Sequence, residues 1–213
     1  MYVPAHFEET DVAVLHGLIR AHPLGAFVAL TAAGLDANHL PVVLDPAPAP
    51  FGTLRAHVAR SNPIWRQLSA GVEAVAIFQG VERYISPSWY PSKAATGGKV
   101  VPTWNYAVVH AYGALRVVDD HDWLARHLAE LVDVNERDAA RPWRMADAPA
   151  DWLDRMVGAV VGLELPVSRL MGKWKLSQNR DAADRAGVVE ALTGLGGEAA
   201  AAMAEAVRGA TRE

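Results

Sequence analysis

The 213-residue sequence contains no cysteine, which removes disulfide frameworks, thiolate zinc sites, iron–sulfur clusters and thiol nucleophiles together. Long apolar runs are missing as well, since none approaches the ~20 residues that span a bilayer. The opening Met1-Tyr2-Val3-Pro4-Ala5-His6-Phe7 lacks the basic and then apolar pattern of a secretory leader. The expectation is a cytoplasmic protein without a membrane partner. Positive charge is scarce: 20 Lys and Arg face 24 Asp and Glu, a formal net charge of −4. Non-specific nucleic-acid affinity comes mainly from counterion release by basic surfaces, so a DNA partner would need a local basic patch. No G-x-S-x-G elbow, P-loop, G-x-G-x-x-G, H-E-x-x-H or helix-turn-helix pattern occurs. His6, His22, His39, His57 and His110 are scattered without ligand spacing, and no metal is expected.

What is present suits a globular core. Hydrophobic residues make up 51% and charged residues 21%, enough apolar surface to offset the ordering entropy of the chain. The length exceeds the ~150 residues of one typical domain, so one large domain or a domain with an appendage is expected. Val12, Leu15, Leu18 and Ile19 follow Thr10 and Asp11 at helical spacing and stop before Pro23. Strand patterns follow at 26–31, 40–44, 53–59 and 72–78, with a short helix at 63–68. A longer strand is expected at 103–118, bent at Gly113. Trp123, Leu124, His127, Leu128 and Leu131 describe a helix capped by Asp119 or Asp120. Another helix is expected at 151–156, strand character at 159–176, and final helices near 181–192 and 198–207. The whole reads as an α+β fold, mostly an antiparallel barrel with flanking helices and a C-terminal helical segment.

Three segments concentrate polar and aromatic groups where such a barrel has rims. In His57-Val58-Ala59-Arg60-Ser61-Asn62-Pro63, Arg60 and a helix N-terminus suit a phosphate or carboxylate. Equally, Asn62 caps the helix and Arg60 is a solvated charge. Tyr84 to Lys93, followed by Val101-Pro102-Thr103-Trp104-Asn105-Tyr106, gathers aromatics and hydroxyls able to sandwich a flat ring, or simply to pack a barrel corner. Arg169 to Arg180 is the densest basic stretch, fit for a phosphate, for nucleic acid, or for a strand edge kept soluble by lysines.

Together these segments resemble the PaiB family of FMN-binding negative transcriptional regulators. The matching elements run in order: Met1 to Phe7, His39-Leu40-Pro41, His57 to Pro63, Tyr84 to Lys93, Val101 to Tyr106 with His110, and Lys173-Trp174-Lys175-Leu176-Ser177-Gln178-Asn179-Arg180. The resemblance implies an FMN-binding split β-barrel over 1–176, with 177–213 as a helical extension packed on the same domain. It also implies a homodimer holding FMN in a groove between subunits. On that basis Arg60, Ser86, Ser88 and Lys93 are expected at the phosphate and ribityl chain, and Trp89, Pro102, Thr103, Trp104 and Asn105 around the ring. Lys175, Gln178, Asn179 and Arg180 would contribute across the dimer. The family's function implies a repressor of transcription, although the acidic charge favours an indirect effect over direct DNA contact. The alternatives are a flavin-dependent oxidoreductase, with His57, His110, Tyr84 or Tyr106 as proton donors, and a haem-binding or haem-degrading protein. The alanine-rich last helix is expected to support the dimer or to cover the surface.

Overall fold

The computed structural model describes residues 1–68 and 71–210, so the last three residues of the expected C-terminal extension lie outside it. In chain order the elements are β1 (Glu8–Glu9), α1 (Val12–Ala21), β2 (Leu24–Thr31), β3 (Gly34–Pro41), β4 (Val43–Asp45), β5 (Thr53–Ala59), α2 (Ile64–Gln67), β6 (Glu73–Ile85), α3 (Ser92–Ala95) and β7 (Thr103–Ala114). They continue with β8 (Arg116–Val118), α4 (His121–Glu136), α5 (Ala150–Gly158), β9 (Val160–Pro166), β10 (Arg169–Lys175), α6 (Ala182–Leu195) and α7 (Glu198–Gly209). The pairings of β1 with β10, β2 with β3 and β6, β5 with β4 and β9, and β8 with β9 are all antiparallel. This is the α+β class that the alternating patterns imply. Among the described residues no helix is long and apolar enough to cross a membrane.

The chain divides into two compact units, the first made of Met1–Leu18, Gln79–Val109 and the chain from Met171 onward, the second of Ile19–Phe78 and His110–Leu170. In the second unit one sheet has the order β4-β5-β9-β8, and β3, β2 and the start of β6 lie side by side. Period-two alternation in β5 buries Leu54, Ala56 and Val58 and turns Arg55 and His57 to the opposite face. There α4 docks with residues three and four apart. The Trp123 ring lies where a Cβ on Gly162 would stand, His127 meets His57, and Glu130 pairs with Arg55 at 3.3 Å. Asp120 caps this helix by accepting from the Trp123 amide at 2.7 Å, while its neighbour Asp119 is engaged by Arg60. Gly113 is required by a close backbone approach, since a Cβ there would overlap the Pro166 carbonyl oxygen.

In the first unit the strand order is β1-β10-β7-β6. The helices α6 and α7 close a core of Ile85, Tyr90, Leu176, Val188, Leu192, Met203 and Val207, all buried. Full burial of such side chains contributes about 2 kcal/mol each. The alanines of α7 are part of this packing: Ala200 and Ala204 are about 1% exposed, which lets the helix approach closely.

Some elements depart from the sequence expectation. The run at 40–44 is divided between β3 and β4, and the strands at 103–118 and 159–176 are each two strands, β7 with β8 and β9 with β10. β3 itself is polar and half exposed; it forms because Gly34, with φ +113°, turns the chain back so that β2 and β3 pair over their whole length. β6 runs on for thirteen residues through Gln79 to Tyr84, where the apolar alternation fades.

His127 is 1% exposed and its Nε2 lies 3.2 Å from His57 Nδ1, with the Trp123 ring stacked on it at 5.1 Å. Burial, with smaller repulsion from His57 and Arg55, lowers its pKa to about 4. Burial lowers His57 as well. Between the ordinary pKa of 6.5 and about 4 the unfolded chain therefore binds the extra proton. Stability is full above the upper limit and falls by about 3 kcal/mol as pH drops through that window. Urea unfolding across this range is expected to show that loss, and His127→Phe is expected to flatten it.

Candidate functional site

The first unit brings together most of the side chains that the sequence singles out. Its central piece is the turn after β6. Ser86 Oγ accepts from the Ser88 amide at 3.2 Å and opens a single 3-10 turn over Pro87–Trp89. The chain then enters α3, where Ser92 donates from its amide and hydroxyl to the two carboxylate oxygens of Asp184, at 3.0 and 2.7 Å. Asp184 lies on α6 and is 2% exposed, so this is a buried charge held by hydrogen bonds. Three residues before it on the chain, Asp181 caps α6 by side-chain acceptance from the Asp184 amide and leads into the helix turn bearing Gly187. A Cβ on Gly187 would overlap the Trp89 carbonyl oxygen. The aromatic turn is thus seated against α6 by a carboxylate at one point and by a missing side chain at the next.

Around this turn the surface is aromatic and cationic. A hollow of about 290 Å³ is lined by Glu82, Arg83, Tyr84, Trp89, Trp104 and Leu195. Trp104 is 53% exposed and meets Tyr84 edge to face at 6.1 Å. The Arg83 side chain has no hydrogen-bond or ion-pair partner among the described residues. Lys93 is exposed, with its Nζ 3.5 Å from Ser88 Oγ, beside a second depression formed with Tyr90 and Gly97. Lys175, on β10, donates to Thr103 Oγ1 and, at 2.6 Å, to the Trp104 carbonyl. Its ammonium pKa is lowered, first by burial and then by the nearby Lys173 and Arg180 charges. Arg180 lies over the Tyr90 ring at 4.5 Å. Burial raises the Tyr90 phenol, against the pull of Arg180.

Other expected site residues have internal duties. Asn105 is 1% exposed and donates to Ser177 Oγ at 2.9 Å, bracing a turn in which Ser177 has φ +66°. Its Oδ1 is buried without a hydrogen-bond partner. Gln178 closes the same turn, accepting from the Leu176 amide and donating to the Trp174 carbonyl. Pro102 and Asn179 are exposed. Arg60 belongs to the second unit. Its guanidinium grips both oxygens of Asp119, at 3.0 and 2.6 Å, and donates to the carbonyls of Gly158 and Val160. Asn62 is a helix cap, accepting from the Ile64 amide at 3.0 Å. In that segment the arginine is a clamp between loops, which the sequence pattern does not reveal because Asp119 stands 59 residues away.

The histidines offered for proton transfer are similarly occupied, His57 with His127 and His110 with the Tyr112 hydroxyl at 3.3 Å. Arg83 escapes the motif reading because it lies inside a strand. Its only signal is position, one residue before Tyr84 at the end of β6.

Comparison with known proteins points one way. The family described as "Putative FMN-binding domain" matches residues 1–169. The Bacillus subtilis protein named "Protease synthase and sporulation protein PAI 2" is 30% identical over 205 residues, covering 96% of this chain and 95% of that protein. Among solved structures, the flavocytochrome Anf3 of Azotobacter vinelandii superposes with a TM-score of 0.60 at 12% identity, over 87% of this chain and 78% of that one. The FAD- and haem-binding protein of Mycobacterium smegmatis does so at 0.60 and 18%, over 84% and 78%. At these identities the two structures are alike in fold.

Asp184→Ala removes both acceptors of Ser92 and is expected to lower stability by about 2–4 kcal/mol. Asp184→Asn, which can still accept from the amide and donate to the hydroxyl, is expected to cost less than half of that. The urea midpoints of the two variants check the ordering.

Proposed function

The chain belongs to the FMN-binding family of PaiB-like split-barrel proteins, and we propose that it holds its flavin against the Trp89 and Trp104 rings of the first unit. The observation that carries this is the exposed Tyr84–Trp104 pair beside an unpartnered guanidinium, in a hollow with Trp89 as a further wall. A flavin mononucleotide needs a flat apolar wall, donors for a phosphate and polar groups for the edge of its ring. These residues fit that description. Arg83 and Lys93, with the hydroxyls of Ser86 and Ser88, would take the phosphate and ribityl chain, and Arg83 is the addition that the fold makes to the sequence expectation. Thr103 and Lys175 would face the ring, with Pro102 at its margin. Asn105, Gln178 and Arg180 would act from behind, by holding the Ser177 turn and Tyr90 in place, and Asn179 remains at the rim. Arg60, with four donors already engaged, supports the second unit rather than a phosphate.

When bound, a flavin supplies one- and two-electron redox chemistry. The protein's part is to orient it and to keep water from one face. A hollow of about 290 Å³ is small for a whole FMN, which supports a site completed by a second copy of the chain. The homodimer is therefore part of this proposal. Regulation of transcription, the family's described role, would be exerted without direct DNA contact, in keeping with the net charge of −4.

Titration of the protein into FMN, followed by flavin fluorescence, is expected to show saturable quenching. Trp104→Ala and Arg83→Gln should each weaken it at least tenfold, about 1.4 kcal/mol. Riboflavin, which lacks the phosphate, should bind the parent and Arg83→Gln equally. Unchanged FMN affinity in both variants would remove the site from this surface.

A further inference from the structure

A second and larger hollow in the first unit, about 580 Å³, is lined by none of the residues around the aromatic turn. His6, Glu8, Trp174, Gln178, Arg185 and Gly209 line it, from the N-terminal turn and β1, the end of β10 and the turn after it, α6 and the end of α7. Its volume falls within the range of small-molecule sites.

The walls are set before any ligand arrives. Gln178 spends both ends of its amide on the backbone at 174 and 176, which fixes the turn that carries Trp174. On the α7 side the lining residues are Ala206, Gly209 and Ala210, so small side chains leave the space open. A Cβ on Gly209 would meet nothing within 4 Å.

The charges in the hollow do not neutralise each other. The Arg185 guanidinium and the Glu8 carboxylate both line it, yet neither has a side-chain partner among the described residues. The neighbouring Glu9 is largely buried and accepts from the Asp11 amide. The Trp174 and Leu176 side chains line the same hollow. An open cation, an open anion and an apolar wall in one hollow match a small zwitterion with an apolar body. They do not match a phosphate ester, because Glu8 and Glu9 would repel it.

We propose that this hollow binds a free α-amino acid with a large apolar side chain. Its carboxylate pairs with the planar fork of Arg185. Its ammonium group pairs with Glu8, and its side chain lies on Trp174 and Leu176. This hollow shares no lining residue with the one proposed for the flavin.

Isothermal titration of the full chain with L-leucine, L-phenylalanine and L-tryptophan tests it. At least one is expected to bind saturably at one site per chain. For the amino acid that binds, the N-acetyl and the carboxamide derivatives, each lacking one charge, should bind at least tenfold more weakly. Arg185→Gln and Glu8→Gln should each produce a loss of the same size, and because neither side chain has a partner, the thermal unfolding midpoint should stay where it is. Gly209→Trp, which fills the open space, should abolish binding. The proposal is overturned if none of the three amino acids binds saturably, if the single-charge derivatives bind as well as the parent compound, or if FMN displaces the amino acid competitively.

Discussion

The organisation of the first unit depends on one buried carboxylate. Asp184 accepts two hydrogen bonds from Ser92 while its amide donates to the Asp181 cap of α6, so the starts of α3 and α6 are joined at a point excluded from water. A charge so buried persists only while its donors are in place, which makes the joint sensitive to small displacements. Everything that distinguishes this surface follows the joint. Trp89 is held at the level of Gly187, Tyr90 is buried beneath Arg180, and Lys93 projects outward from the start of α3. The apolar cluster closed by α6 and α7 supplies the energy, and Asp184 supplies the register.

Much of the architecture was legible where a periodicity met a single buried face. The spacing of Trp123, Leu124, His127 and Leu131 implied a helix, and residues 123, 127 and 130 are those that meet the sheet. Alternation in β5 was readable for the same reason. β3 was not, because Asp36, Asn38 and His39 carry no apolar signal and the strand exists through its pairing with β2. The far half of β6 was hidden likewise. In such strands backbone pairing decides the structure, and side-chain pattern is silent.

The candidate site was legible as composition and illegible as partnership. Ser86, Trp89, Lys93, Thr103, Trp104 and Lys175 do gather in one unit. Arg60 looked similar to Lys93 as a rim cation, yet one is saturated by Asp119 and two carbonyls while the other stands in solvent. Asn105, expected near the ring, is buried and braces the Ser177 turn. Such differences arise from residues tens of positions away, which no local motif contains. The same holds for Arg83 and for the unpaired Glu8 and Arg185, whose significance lies in what they fail to touch.

The account is tested most directly by a crystal structure of the protein grown with FMN. It predicts the isoalloxazine ring in contact with Trp89 and Trp104 and the phosphate within hydrogen-bond distance of Arg83 or Lys93. A ring bound in the hollow beside Arg185, or one remote from both tryptophans, would contradict it.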